Sequence, residues 1–388
     1  MTLFTGRAAV VQRIMERGAN QVALGKPVAI FVQGEYGIGK SSIANYVQSA
    51  AEAELKLYPI YATLGGAEDI NDATTSIMEG IVRSGASDPS KMERLGDWLS
   101  RYIGEQQLFG VKLNLERLRH EAPAVSSPFA LLTLLKDIYA RLKGGGTKGL
   151  FLVLDEINGI TKQPKFANFI KSIVDANAND SSPLPLLLML CGVEERRTEM
   201  IRQHPSVGRL FDVVGLQPMD EMEMREFFAT AFESVQIQVD PKAMSLMTAY
   251  SAGLPKIMHE IGDAAYYIVK ENYLSPADAI RAVLEAKNEI GRKYVEPEIY
   301  DALRSEAYHA ILAKLGMMGK EEFGKAELAS QLSAEEGKKL NNFLQRMKKL
   351  NVIRGGKTKG TYAFNIRMVQ IYIMLKSLEV DGHPNLFP

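Results

Sequence analysis

The segment Gly34-Glu-Tyr-Gly-Ile-Gly39-Lys40-Ser41 meets every fixed position of the pattern G-x-x-x-x-G-K-[ST]. Glycines at Gly34, Gly37 and Gly39 let a backbone turn sharply enough for its N–H groups to converge on an anion, and a helix opening near Ser42 adds its partial positive charge. Lys40 has the reach to neutralise terminal phosphates, and the Ser41 hydroxyl is a hard oxygen of the kind Mg²⁺ takes. The chemistry is therefore the binding of a di- or triphosphate. A glycine-rich turn that matches by chance is the plainer alternative, but it would need neither a strand before it nor a helix after it, and both are written in the flanks.

Cradling a phosphate does not hydrolyse it. A second acidic partner for the metal follows the apolar run Leu150–Leu154, as Asp155-Glu156. A buried parallel strand ending here would deliver Asp155 beside the phosphate loop to hold the metal's water shell, with Glu156 placed to polarise the attacking water. Two acids that merely cap a strand are the competing reading. The complete loop upstream favours the chemical one.

The elements that must position these groups can be read from period and composition. Val-Ala-Ile-Phe-Val-Gln from Val28 is a β-branched apolar run, and Ser42–Ala53 repeats its apolar residues at helical spacing, so the loop joins a strand to a helix. Leu150–Leu154 and Leu184–Cys191 are near-continuous apolar strands of the kind covered on both faces in parallel sheets, with helical patterns at Phe129–Leu142 before them and Phe166–Ala176 between them. The fold class is α/β. The stretch 63–127 is the least legible; next to it lies a strand expected at Leu57–Ala62, and within it a hairpin around Phe109–Leu115.

From Asp220 the pattern is helical, over Glu221–Phe232, Pro241–Ser251, Pro255–Lys270 and Pro276–Lys287, a small lid of helices that begin at prolines or acids suited to a first turn. Helices at Glu298–Leu315, Lys325–Leu332 and Glu335–Leu350 then precede short strands at Val352–Ile353 and Thr361–Phe364 around a glycine-rich basic turn, the order of a winged helix-turn-helix. The expected division is a nucleotide-binding domain over 1–219, a helical lid over 220–296 and a winged helix over 297–388.

Composition bounds the classes. The 388 residues carry 46 Lys+Arg against 46 Asp+Glu and are 46% hydrophobic, so a core can be buried and neither a uniformly basic coat nor an acidic tail is present. One cysteine, Cys191, excludes an internal disulfide framework or a cysteine zinc cluster and fits a cytoplasmic location. The longest apolar run, Leu186–Cys191, falls far short of the roughly 20 residues that cross a bilayer.

Several segments together resemble the AAA+ and STAND P-loop ATPases, in particular archaeal initiator-like ATPases, transposition ATPases and prokaryotic ATPases ending in a winged helix. They are Phe4-x-Gly6-Arg7, Gly34–Ser41, Leu-Val-Leu-Asp155-Glu156, Cys191-Gly192, His204-Pro-Ser-Val-Gly-Arg209 and Gly253-Leu-Pro255-Lys256. The resemblance implies an ATPase with ATP and Mg²⁺ as cofactors. It implies that Phe4, Gly6 and Arg7 flank the base, that Gly34, Gly37, Gly39, Lys40, Ser41 and Ser42 hold phosphate, and that Ser41 and Asp155 hold the metal. It also implies Arg209 as an arginine finger acting on a neighbouring copy, with a solvated surface arginine as the alternative, and Lys256 in the sensor-2 place, where a point charge replaces the planar fork of an arginine. Relatives often end the third strand in Asn, Ser or Thr. Here Cys191-Gly192 stands in that place, so turnover is expected to be slow, with Asn158 as a substitute.

The stretch Lys338–Arg367 holds Lys338, Lys339, Arg346, Lys348, Lys349, Arg354, Lys357, Lys359 and Arg367 with no acid. In helix Glu335–Leu350, Leu340, Phe343, Leu344 and Met347 share one face, which leaves Lys339, Asn342, Gln345, Arg346 and Lys349 outward, where they could meet duplex DNA. Three functions follow: a nucleotide-dependent switch or assembly factor on DNA, a STAND-like signalling or defence switch whose winged helix docks protein, or, from Cys191-Gly192, a nucleotide-binding structural subunit without turnover. A homo-oligomer that forms with nucleotide fits either of the first two.

Overall fold

The computed structural model describes residues 5–86, 95, 127–292, 295, 299, 301–303, 305–350, 352–356, 358–365 and 367–380. The hairpin expected at Phe109–Leu115 lies outside them. The chain divides into two compact units: a sheet unit of Arg7–Gly34 and Gly39–Gln217, and a helical unit of Met1–Gly6, Glu35–Ile38 and Pro218–Pro388.

The sheet unit starts with α1 (Ala8–Ile14), a wide turn over Met15–Ala19 and α2 (Asn20–Ala23). Then come β1 (Val28–Gln33), α3 (Lys40–Leu55), β2 (Leu57–Thr63), α4 (Ile70–Ala86), α5 (Pro128–Lys143), β3 (Gly149–Asp155), α6 (Pro164–Ala178), β4 (Leu186–Gly192), α7 (Glu194–Gln203) and β5 (Asp212–Gly215). The five strands are parallel in the order β2-β3-β4-β1-β5. Their register aligns Thr63 with Asp155, Gln33 with Gly192 and Gln33 with Gly215, so the C-terminal ends of the strands share one edge. Every residue of β3 and β4 is buried, which is why these strands read as unbroken apolar runs.

Polar side chains fasten the layers where the ladder cannot. Gln48, buried on α3, donates to the carbonyls of Ile60 and Phe151 at 3.1 and 2.9 Å, tying the helix after the phosphate loop to β2 and β3. Buried Asn177 donates to the Leu184 carbonyl at 2.9 Å and accepts the Leu184 N–H at 2.8 Å. Leu184 is thereby engaged by a side chain, and the strand expected from Leu184 begins at Leu186. Helix α4 falls in the least legible stretch. Its Thr, Ser and Gly residues weaken helical propensity, yet Ala73, Ile77 and Ile81 line up at i, i+4, i+8 and are buried.

The helical unit contains α8 (Glu221–Ser234), β6 (Gln238–Val239), α9 (Pro241–Ser251), α10 (Pro255–Ile268), β7 (Tyr273–Leu274) and α11 (Pro276–Ile290). After these follow α12 (Asp301–Leu303), α13 (Glu306–Met317), β8 (Glu322–Gly324), α14 (Lys325–Ser330), α15 (Ala334–Lys349), β9 (Ile353–Gly355), β10 (Thr361–Phe364) and α16 (Arg367–Val380). Reciprocal capping boxes, Asp220 with Glu223, Ser275 with Asp278 and Ser333 with Glu336, start α8, α11 and α15, each satisfying N–H groups that a helix start leaves open. Strands β8, β10 and β9 form an antiparallel sheet in that order, and Leu340, Phe343, Leu344 and Met347 of α15 are buried as their spacing requires.

The helical unit departs from the expected elements in several places, among them strand β8, which is not expected. The single helix expected over Glu298–Leu315 ends and restarts, with Ser305 preceding α13. The two-residue parallel pair of β6 and β7 is too short to leave a pattern. Helix α16 is not among the expected helices: Val369, Gln370, Ile371, Tyr372, Ile373, Leu375 and Ser377 are all buried, so no polar stripe marks its period. Among the described residues no helix is long and apolar enough to cross a membrane.

Candidate nucleotide-binding site

In the sheet unit the phosphate-loop sequence leaves the end of β1 at Gln33 and Gly34 and re-enters at Gly39, whose φ of +94° is the left-handed conformation that caps α3 at little cost only for glycine. The helix opens at Lys40, two residues before the expected start. The Gly34 N–H donates to the Gly192 carbonyl at 3.3 Å, and the Lys40 ammonium folds back to the Gly34 carbonyl at 2.9 Å. Ser41 and Ser42 are exposed on the first turn. Gly37, in the helical unit, also has positive φ, at +78°.

Asp155 ends β3 with only 3% of its surface exposed. Its Oδ1 accepts the Glu156 N–H at 2.8 Å and its Oδ2 accepts the Tyr61 hydroxyl at 2.5 Å. Glu156 is exposed and holds a φ of +55°, a left-handed backbone that disfavours a residue with a side chain by roughly 1–2 kcal/mol. Its carboxylate lies over Gly65, where a Cβ would collide with Glu156 Oε2. The acid expected to polarise water is thus freed from the strand by a turn, and a glycine makes room for it.

Strand β4 separates β1 from β3, so Cys191-Gly192 ends between the phosphate loop and Asp155. Burial, then the Asp155 charge, raises the Cys191 thiol well above its usual range, with Lys40 opposing. A neutral thiol stands there. Asn158 reaches the same spot, its Oδ1 accepting the Val193 N–H at 3.3 Å. The first residues of α7 add Arg197, whose Nε donates to Gln33 Oε1 at 2.9 Å.

Tyr61 carries no motif that would single it out in the sequence. It lies opposite Val153, two residues before Asp155 on the same face of the sheet, a relation visible only once β2 and β3 are known to be neighbours. Burial first, then the hydrogen bond to Asp155, raises the pKa of its hydroxyl far above the ordinary tyrosine range.

The remaining expected residues are more dispersed. Arg209 is exposed at the end of the 3₁₀ turn Pro205–Arg209, with no hydrogen bond or ion pair among the described residues. Arg7 is buried with a φ of +59° at the start of α1, and Gly6, in the helical unit, has a φ of +72°. Phe4 lies outside the described residues. In the helical unit the Lys256 N–H donates to the Gly37 carbonyl at 3.2 Å and its ammonium pairs with Glu260 at 2.9 Å. Lys338, Lys339, Lys349 and Lys359 are exposed. Lys348 and Arg346 are exposed as well, as expected for an outward face; the Lys348 ammonium lies 4.8 Å from the Tyr362 ring centroid and Arg346 donates to the Ala302 carbonyl at 3.1 Å. Lys357 lies outside the described residues.

No protein-family model matches the chain, and no curated protein matches it. The fold is shared with solved structures. A Walker-type ATPase of Pyrococcus abyssi superposes with a TM-score of 0.57 at 16% identity, covering 95% of this chain and 96% of that one. The Aeropyrum pernix ORC2 protein in its ADP form gives 0.53 at 14% identity, covering 95% and 92%. The same protein in ADPNP-ADP complexes gives 0.51 at 13% identity, covering 97% and 95%. The likeness establishes a shared fold over nearly the whole chain.

Proposed function

We propose that this chain binds ATP with Mg²⁺, hydrolyses it, and uses the nucleotide as a switch that governs assembly on duplex DNA. The observation that carries the reading is the shared strand edge: Gly34 and Lys40 around the end of β1, and Asp155 and Glu156 at the end of β3. This is where a doubly wound sheet binds its ligand. The structures of similar fold include an ADP form, which supports the nucleotide.

The residues fit the cation. Ser41 and Asp155 offer a hydroxyl and a carboxylate, oxygen donors of the class Mg²⁺ prefers, and the Asp155 carboxylate is held in one orientation by two donors. When bound, Mg²⁺ would neutralise charge on the phosphate oxygens. Gly34, Gly37, Gly39 and Ser42 shape the backbone that wraps phosphate. Lys40 exchanges its Gly34 carbonyl for the terminal phosphates. Glu156, swung out of the strand direction, accepts a proton from water. Arg209, exposed, acts on the nucleotide of a neighbouring copy. Lys256 and the Phe4-x-Gly6-Arg7 segment keep the phosphate-sensing and base-flanking parts that the resemblance assigns them.

Winged-helix contact with DNA is supported by the element order α13-β8-α14-α15-β9-β10 and by the exposed Lys338, Lys339, Lys349 and Lys359. A second reading, a module that docks protein, is favoured by Arg346 and Lys348, which are used within the unit itself. Gel filtration with and without ATP, repeated with duplex DNA at rising salt, separates them. The DNA reading expects a complex that salt dissolves steeply. Absence of any complex at low salt with ATP would leave the docking module, and absence of any nucleotide effect would remove the switch.

A further inference from the structure

We infer that Glu35, inside the phosphate-loop sequence, is a latch on the first turn of the C-terminal helix α16, released when nucleotide occupies the loop, so that bound nucleotide and the capped helix oppose each other. The inference rests on the nucleotide reading above and adds to it the contact through which phosphate is felt by the C-terminal module.

Residues Glu35–Ile38 belong to the helical unit. There the half-buried Glu35 carboxylate accepts the Arg367 N–H at 3.2 Å, across 332 residues of sequence. Arg367 is the first residue of α16, and a helix start leaves its N–H groups without a partner inside the helix. A carboxylate there satisfies one donor and meets the positive end of the helix dipole. The start of α16 is in turn fixed to the small antiparallel sheet: the Glu321 carboxylate pairs with Arg367 at 3.6 Å, and the Glu321 carbonyl accepts the Phe364 N–H at 3.1 Å. Further along, Gly316 lets α13 touch α16, since a Cβ there would meet the Ile373 carbonyl at 2.7 Å. A change at the first turn of α16 is therefore passed to the sheet and the helix it is fastened to.

The other side of the contact is the loop itself. Gly34 offers its carbonyl to the Lys40 ammonium at 2.9 Å. That carbonyl shares one rigid peptide plane with the Glu35 N–H, which points the opposite way. Phosphate asks for another arrangement, with loop N–H groups turned onto the anion and Lys40 on its terminal oxygens. When Lys40 leaves the carbonyl, the plane is free to turn about Gly34, which lacks the side chain that would resist it, and the Glu35 backbone turns with it. The phosphate charge also repels a carboxylate carried on the same loop. Both effects draw Glu35 off the Arg367 N–H, and by linkage a helix start that keeps Glu35 weakens nucleotide binding by the same factor.

Proline separates the hydrogen bond from the charge. It lacks the N–H yet is accommodated at the first position of a helix, so Arg367→Pro removes the donor, and Arg367→Ala is its reference because both lose the guanidinium. The full chain and both variants are titrated with ribose-labelled fluorescent ADP in MgCl₂, with melting curves in the same buffer. Arg367→Pro should bind about fivefold or more tighter than Arg367→Ala. In a Glu35→Ala background no carboxylate remains to be released, and the difference should vanish. Hydrogen exchange on the parent chain needs no variant: saturating ADP should speed exchange of the Arg367 amide several-fold, and this measurement decides alone if Arg367→Pro melts below the assay temperature. Equal affinities of the two variants, a difference that survives in Glu35→Ala, or an Arg367 amide that exchanges no faster with ADP each overturn the latch while leaving the nucleotide reading in place. A parent chain that binds no labelled ADP refutes that reading, and the latch with it.

Discussion

Asn158 Oδ1 accepts the backbone N–H of Val193 at 3.3 Å, joining the turn after β3 to the residue that follows β4. The link brings an amide side chain to the strand end where Cys191 contributes only a buried neutral thiol. Asn158→Ala should leave ATP affinity within a few-fold and lower turnover by about tenfold or more, at a stability cost of about 1 kcal/mol for the missing hydrogen bond. Steady-state hydrolysis and denaturant unfolding of the two proteins check it. Parental turnover in the variant would assign Asn158 to the turn alone.

Lys40 and Glu156 separate binding from chemistry. Lys40→Ala removes a charge-assisted phosphate contact and should weaken ATP binding by roughly tenfold to a hundredfold or more. Glu156→Gln keeps the shape of the side chain without its basicity, so binding persists while hydrolysis falls by about a hundredfold or more. Equilibrium binding and single-turnover hydrolysis distinguish the two outcomes.

Gly65 leaves room for the Glu156 carboxylate, since a Cβ there would collide with Oε2. The clash is with the end of a flexible side chain and costs little stability, so Gly65→Ala should melt within about 2 °C of the parent. Turnover should nonetheless drop several-fold, because the displaced acid no longer addresses the same water. A variant with lowered melting temperature and unchanged turnover would contradict this.

Arg209 is exposed and unengaged among the described residues. Acting on a neighbour, it should tolerate Arg209→Ala without loss of ATP affinity while turnover falls. Mixing Arg209→Ala with Glu156→Gln protein should recover part of the activity, because some interfaces then pair an intact arginine with an intact acid. Co-assembly without recovery would count against action in trans.

Lys339 and Lys349 are exposed on α15, whereas Arg346 is tied to the Ala302 carbonyl. Reversing the two lysines to Glu should weaken duplex binding at every sequence and reduce the salt slope by about 0.9 for each phosphate that is no longer neutralised. Unfolding should be unaffected. Parental affinity for DNA in the double variant would move the function of this module to protein docking.

What the sequence determined by itself was local chemistry. The loop from Gly34 to Ser41, the strand that ends in Asp155-Glu156 and the buried face of α15 depend on residues within a few positions of one another, where glycine conformation and period are legible. Only the tertiary structure decided which elements became neighbours. It set β4 between β1 and β3, bringing Asn158 and Cys191 to the same strand end, and placed β2 beside β3, so that Tyr61 meets Asp155 from 94 residues away. It gave the exposed Arg346 a carbonyl partner and buried α16 on most sides, erasing the stripe that would have revealed it. Strand order and helix burial arise from long-range pairing and packing, and neither leaves a period in the chain.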